Sequence, residues 1–206
     1  HEGSNIHVTN DGTVVAYSGD DSRFEYIYKF VSSRKVRSGN TDKDREENMK
    51  ILDEGTLYVA TFNGNSDDFS ESGKLPEDGA YDGDGEWKKL VTVKADGSAE
   101  SHIDGMSAEE VIIYTRLAGD EAGATKMDRP EWCGTHPTTG EVYDLGLVKN
   151  AQGATLFHKA TSGRPNDLDL INTGTFDLRE SNEVMWVGNT ATSGTRQLYK
   201  IPLPAV

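Results

Sequence analysis

Cysteine is almost missing from these 206 residues: Cys133 stands alone. No disulfide can close within the chain, and no zinc site built from several thiolates is available. The count is neutral about compartment, because an exported domain with a sufficient core needs no staple. Apolar residues are scarce too, at 34%, against roughly 45–50% in an average globular domain. No run approaches the ~20 apolar residues of a membrane-spanning helix, which excludes an integral helical membrane protein. Positive charge is in short supply, with 21 Lys and Arg against 35 Asp and Glu, a net charge of −14. Such a surface repels phosphate backbones, so nucleic acid is not an expected partner.

What is present is carboxylate and glycine. An acidic chain with 22 glycines suits hard divalent cations, which take carboxylate and carbonyl oxygens, and equally suits a plainly solvated exterior. The length allows one large domain or two small ones. The chain opens on His1 without a basic stretch followed by an apolar run, and reads as a mature or internal piece of something longer.

Most of the chain reads as β structure. Asn5–Thr9 and Thr13–Tyr17 flank the turn Asn10-Asp11-Gly12 as a hairpin. In Phe24–Val31 the aromatics Phe24, Tyr26, Tyr28 and Phe30 alternate with Glu25, Ile27, Lys29 and Val31, a period of two that predicts one strand. Ser32–Asn48 is charge-dense and predicts a surface loop or a short solvated helix. Gly55–Phe62 and a segment from Trp87 to Val93 are further strands. They are separated by a low-complexity acidic insertion loop over 63–86. Within it Asp82, Asp84 and Glu86 alternate like the start of a calcium loop. The EF-hand pattern, however, needs Gly where Trp87 stands and Glu where Val93 stands. Ser107-Ala108-Glu109-Glu110 is a capping box that starts a helix ending at Gly119. Gly140–Leu147, Ala154–His158, Asp169–Phe176, Glu183–Gly188 and Gln197–Leu203 complete a series of short strands. The fold class is all-β with one short packed helix: a sandwich, barrel or propeller.

Three segments put carboxylates beside glycine or proline: His1-Glu2-Gly3, Gly19-Asp20-Asp21 and Met127-Asp128-Arg129-Pro130-Glu131-Trp132. Pro130 disfavours the helical region for Arg129, so the last is extended, with Arg129 and Glu131 two residues apart on one side. A guanidinium beside a carboxylate is either a structural ion pair or a phosphate-and-metal site. His7, His102, His136 and His158 lack metal-ligand spacing and read as surface or packing residues. Trp87, Trp132 and Trp186 read as inter-strand packing.

HEGS, VVAYSGDDSRFEYIYKFVS, ILDEGTLYVATFN, EVIIYTRLAGDEAGATKMDRPEW and HPTTGEVY, in that order from His1 to Tyr143, resemble successive signatures of the PhoX-type alkaline phosphatases. The resemblance implies a β-propeller, here partial or short, forming a single unit over 1–206. It implies hydrolysis of small phosphate monoesters with iron and calcium, a metal-held oxide or hydroxide as nucleophile, and a periplasmic or secreted location. Carried over, it makes Glu2 and Glu131 metal-ligating glutamates, Arg129 the arginine that grips substrate phosphate, and Asp20 and Asp21 calcium ligands. Carboxylates suit hard cations, and cations neutralise a phosphate that this chain would repel. A planar guanidinium can bind two phosphate oxygens at once.

The departures point to other readings. The family's iron-ligating cysteine belongs to a segment preceding HEG, and nothing here corresponds to it. Cys133 reads as a buried, inert thiol. After Tyr143 the family continues into a TLTNN-like stretch, whereas this chain runs DLGLVKNAQGATLFHKA, and 144–206 forms a divergent part. The alternatives are a non-catalytic propeller fragment that retains calcium, and a calcium-dependent propeller hydrolase such as a lactonase. The sequence leaves the oligomeric state open.

Overall fold

The structure is a computed structural model that describes residues 2–63, 84–135, 140, 142–148, 171–177, 184–189 and 198–202. Of the insertion loop expected over 63–86, residues 64–83 lie outside the described residues, while Asn63 and Asp84–Glu86 belong to strands instead; the strand expected over Ala154–His158 also lies outside them, as do His136 and His158.

Strands β1 (Glu2–Val8) and β2 (Thr13–Gly19) form the predicted hairpin, β1 extending further toward the start of the chain than expected. The turn closes because Asp11 is short enough to reach the backbone: its carboxylate accepts from the Thr13 amide at 3.2 Å, while the Gly12 amide donates to the Thr9 carbonyl at 2.9 Å. Gly12 sits at φ +86°, a left-handed conformation that favours glycine.

The segment Phe24–Val31 is not one strand. β3 (Arg23–Glu25) pairs with β8 (Met127–Thr135), whereas β4 (Ile27–Lys35) pairs with β2. Tyr26 is the point where the chain passes from one sheet to the other. Period-two alternation fails here for a tertiary reason: Tyr26, Ile27 and Tyr28 are buried consecutively, at 1%, 5% and 1% exposure, because both faces are covered. Tyr26 and Tyr28 pack with Val59, Leu90, Val111 and Ala118, and Ile27 packs with Ala60, Met127 and Cys133. Each such side chain stabilises the fold by roughly 1.5–3 kcal/mol.

The large sheet runs β1-β2-β4-β5-β6-β7, with β5 (Gly55–Asn63), β6 (Asp84–Val93) and β7 (Ala99–Ser101), all antiparallel. A second sheet is β3-β8-β9, with β9 at Val142–Val148. A third is β10 (Ile171–Asp177), β11 (Val184–Asn189) and β12 (Leu198–Pro202). The all-β expectation holds.

Among the described residues three short helices accompany the sheets, where one packed helix was expected. α1 (Asp42–Met49) buries no residue; Thr41 caps it, and Arg34 on β4 ties it down through Glu47 at 3.0 Å. The helix from Ser107 is two pieces, α2 (Ala108–Ile113) and α3 (Thr115–Glu121), because Tyr114 leaves helical geometry at φ −113°, ψ 47°. Gly119 does not end it. It lies inside α3, and a Cβ there would come within 2.7 Å of the Tyr26 ring, so the glycine permits close approach of helix to strand. The stop is Gly123 at φ +68°.

The Ser107 box is formed as predicted: the hydroxyl accepts from the Glu110 amide at 3.2 Å, and the Glu110 carboxylate accepts from the Ser107 amide at 2.8 Å. Ser107→Ala should therefore cost about 1 kcal/mol, read as a lower urea midpoint with an unchanged m-value.

Candidate functional site

Three segments far apart in sequence meet at one corner of the fold. Glu2 on β1 stands opposite Gly19 at the end of β2. A Cβ on Gly19 would overlap the carbonyl of Pro130, so β2 passes against β8 at backbone distance there. Both β1 and β2 contact β8, and the Thr135 hydroxyl donates to the Asn5 amide oxygen at 2.7 Å, fastening β8 to β1. The backbones of Glu2, Gly19-Asp20-Asp21 and Arg129-Pro130-Glu131 are thus brought together.

The Arg129–Glu131 stretch is extended within β8, and it interrupts the ladder. Asp128 pairs with Leu147 and Trp132 with Leu145, so the register with β9 shifts across these residues. Pro130 has no amide to donate, and bulges of this kind re-aim side chains. Alternation along the strand is not kept by pairing at this point.

Asp20 is fully buried at 0% exposure, and Asp21 is exposed. The Asp20 carbonyl accepts from the Ser22 amide at 2.9 Å, closing the turn. Its carboxylate Oδ2 lies 3.4 Å from Nε of Arg116 on α3, and Nη1 of the same guanidinium lies 3.3 Å from Oε1 of Glu25. Burial pushes the Glu25 carboxyl up, and Arg116 opposes it. Burial, followed by the charges of Asp20 and Glu25, pushes the Tyr28 phenol up. One turn along α3 from Arg116, Asp120 accepts from the Tyr26 hydroxyl and pairs with Lys126 at 2.9 Å.

None of Arg116, Glu25, Tyr26 or Asp120 was singled out from the sequence. The available signal was the i, i+4 spacing of Arg116 and Asp120, which puts both on one face of a helix. Among the described residues no group of three or more His, Cys, Asp or Glu is arranged to hold a metal. Cys133 is buried at 5% exposure among Ile27, Ala60 and Met127, where a buried thiol was expected. His7 is half-buried beside Gly140, and exposed His102 places Nε2 at 2.9 Å from the Thr92 hydroxyl. Trp87 packs on Tyr17, ring centroids 6.1 Å apart, as inter-strand packing predicts.

These charges fix the acid response. The Tyr26 hydrogen bond, then Lys126, hold Asp120 below the usual carboxylate range; Lys35 acts first on Asp11 in the same direction, and Thr41 on Asp44. A lowered carboxylate stabilises the fold fully above its unfolded value near 4 and loses that contribution as pH falls through the lower folded value. Glu25, being raised, acts oppositely: its contribution is present below the unfolded value and lost as pH climbs through the raised one. The lowered groups outnumber it, so the thermal midpoint should drop by a few degrees between about pH 4 and pH 2, the effect kept small by solvent screening. Asp120→Asn should remove part of that drop.

The family model described as Alkaline phosphatase PhoX matches residues 1–168. The chain belongs to the PhoX alkaline phosphatase family. The match runs past Tyr143, so the PhoX pattern extends into the part that carries no recognisable motif. A solved structure, "Pseudomonas fluorescens PhoX in complex with vanadate, a transition state analogue", is similar with a TM-score of 0.63 and 26% identity; the match covers 98% of this chain and 42% of that one. The chain therefore spans less than half the length of that PhoX protein. No curated protein matches it.

Proposed function

We propose that the chain serves metal-dependent hydrolysis of small phosphate monoesters, with the active corner where β1, β2 and β8 meet. The observation that carries this reading is the register Glu2 opposite Gly19 together with the contact of Gly19 on Pro130. It supports a site drawn from Glu2, the Gly19-Asp20-Asp21 turn and the residues on either side of Pro130. In this reading the chain forms one propeller-like unit over 1–206.

The donor set fits calcium and iron in kind. Glu2, Glu131 and the Asp20-Asp21 turn offer carboxylates, and the close approach that glycine permits at position 19 leaves backbone, not side chain, between β2 and β8. When bound, such cations polarise the phosphoryl group and activate water. The chain's own part is to position. Arg129 would hold phosphate oxygens through its fork and offset the charge that grows in the transition state. The acidic surround, net −14, would favour cation binding and disfavour phosphate unless the cations were in place. A periplasmic or secreted setting accords with the family.

Elemental analysis of the purified protein, alongside release of phosphate from a chromogenic monoester, tests the proposal. Iron and calcium with turnover is the expected result. Calcium without turnover would replace it with a non-catalytic scaffold that retains calcium.

A further inference from the structure

We infer that Lys29 is a phosphate-binding residue: its ammonium, held over the Tyr58 and Trp87 rings on the sheet face against which β8 packs, takes a phosphoryl oxyanion as its counter-ion. The inference deepens the proposed function by adding a cationic group for the substrate phosphate. It rests on that reading for its part in turnover, whereas the binding of phosphate stands on the geometry alone.

Lys29 on β4 stands opposite Tyr17 on β2 and Tyr58 on β5, so the three side chains share one face of the sheet. Its Nζ lies 4.4 Å from the centroid of the Trp87 ring and 5.1 Å from that of Tyr58, and Trp87 packs in turn on Tyr17. The rings attract the ammonium but leave its charge uncompensated. Among the described residues no carboxylate reaches it, although the chain carries 35 acids against 21 Lys and Arg. Arg34 and Lys88, likewise half-buried, lie beside Glu47 and Glu86 at 3.0 and 3.5 Å. Burial pushes the Lys29 ammonium down from its ordinary value, as it does for a charge short of a partner. A cation partly withdrawn from water attracts an anion more strongly than one at the open surface. Its place on the sheet says which anion. Two residues back along β4 and on the same face, Ile27 stands opposite Gly19 and packs with Met127 and Cys133, which flank Arg129-Pro130-Glu131 on β8. Two residues of strand span about 7 Å, so Lys29 lies one step along the sheet from the Gly19–Pro130 contact, where the substrate phosphate is proposed to sit.

Amine acetylation of the wild type as purified, read lysine by lysine by mass spectrometry, tests the binding without any variant. Inorganic phosphate is the probe, and chloride at equal ionic strength is the reference. Phosphate should slow acetylation of Lys29 by roughly threefold or more and leave the exposed Lys43 and Lys89 unchanged. Equal slowing of all three, or of none, overturns the inference. Turnover of a chromogenic monoester with saturating calcium and iron tests the role. Lys29→Met keeps an apolar stem against the rings and removes the charge, so it should fold as the wild type does by circular dichroism while raising KM about tenfold with little change in kcat. Lys29→Arg should recover most of that loss, because it keeps the charge and stacks on aromatic rings. A wild-type KM in folded Lys29→Met also overturns the inference, and turnover in the wild type would then leave the phosphatase reading standing. If the wild type releases no phosphate, that reading fails instead, and the acetylation result alone decides for or against the anion site.

Discussion

Glu131→Gln is expected to lower phosphate release by roughly a thousandfold while leaving the thermal midpoint within a few degrees. The substitution keeps size and shape and removes one negative charge. A glutamine oxygen remains a donor, but it cannot neutralise a highly charged cation as a carboxylate does. Removal of one charge-stabilising group from a transition state costs about a hundred- to a thousandfold in rate, and a ligand lost from a shared cation lies at the upper end. Phosphate release from a chromogenic monoester, measured with saturating calcium and iron, gives the rate, and elemental analysis gives the metal content. Unchanged turnover would remove Glu131 from the mechanism. The companion Arg129→Lys keeps the charge but not the planar fork, and should raise KM more than it lowers kcat.

The largest structural effect is expected at Gly19. A methyl group there would occupy the space of the Pro130 carbonyl. Backbone cannot swing aside as a side chain can, so β2 and β8 must part. Overpacking of this kind costs on the order of 3 kcal/mol, about 10 °C in the midpoint of a chain of this size. Gly19→Ala should also weaken calcium binding, because Glu2 stands opposite Gly19 and would be carried away from Arg129 and Glu131. A midpoint and calcium affinity both equal to wild type would show that the two strands are not in contact at that point.

The strands were legible where their signals are local. The hairpin around Asn10-Asp11-Gly12 and the strand from Gly55 carry their turn and alternation signals within a few residues. The Ser107 cap was legible for the same reason, since the groups that make it lie three residues apart. Phe24–Val31 misled because alternation reports a single buried face, whereas Tyr26, Ile27 and Tyr28 have neighbours on both. Gly119 misled because a glycine near a helix end reads as a stop, and only the Tyr26 ring explains why it lies within. At the corner proposed as the active site, the residue types could be listed from the sequence, but their meeting could not. The Gly19–Pro130 contact joins residues more than a hundred apart, and periodicity carries no information about such pairs. Arg116 escaped because a charged residue on a helix ordinarily faces water, and its partners lie on two other elements.

The passage of the chain through Tyr26 has a mechanical result. The large sheet and the sheet carrying Arg129 and Glu131 are joined there by one buried residue, whose ring rests on α3 and whose hydroxyl is held by Asp120. A flexible linker would let the two sheets drift by ångströms, a tolerance too loose for the phosphate site proposed above. The buried joint at Tyr26, together with the Gly19–Pro130 contact and the Thr135–Asn5 hydrogen bond, limits that slack, so the alignment of the two sheets is inherited from the core.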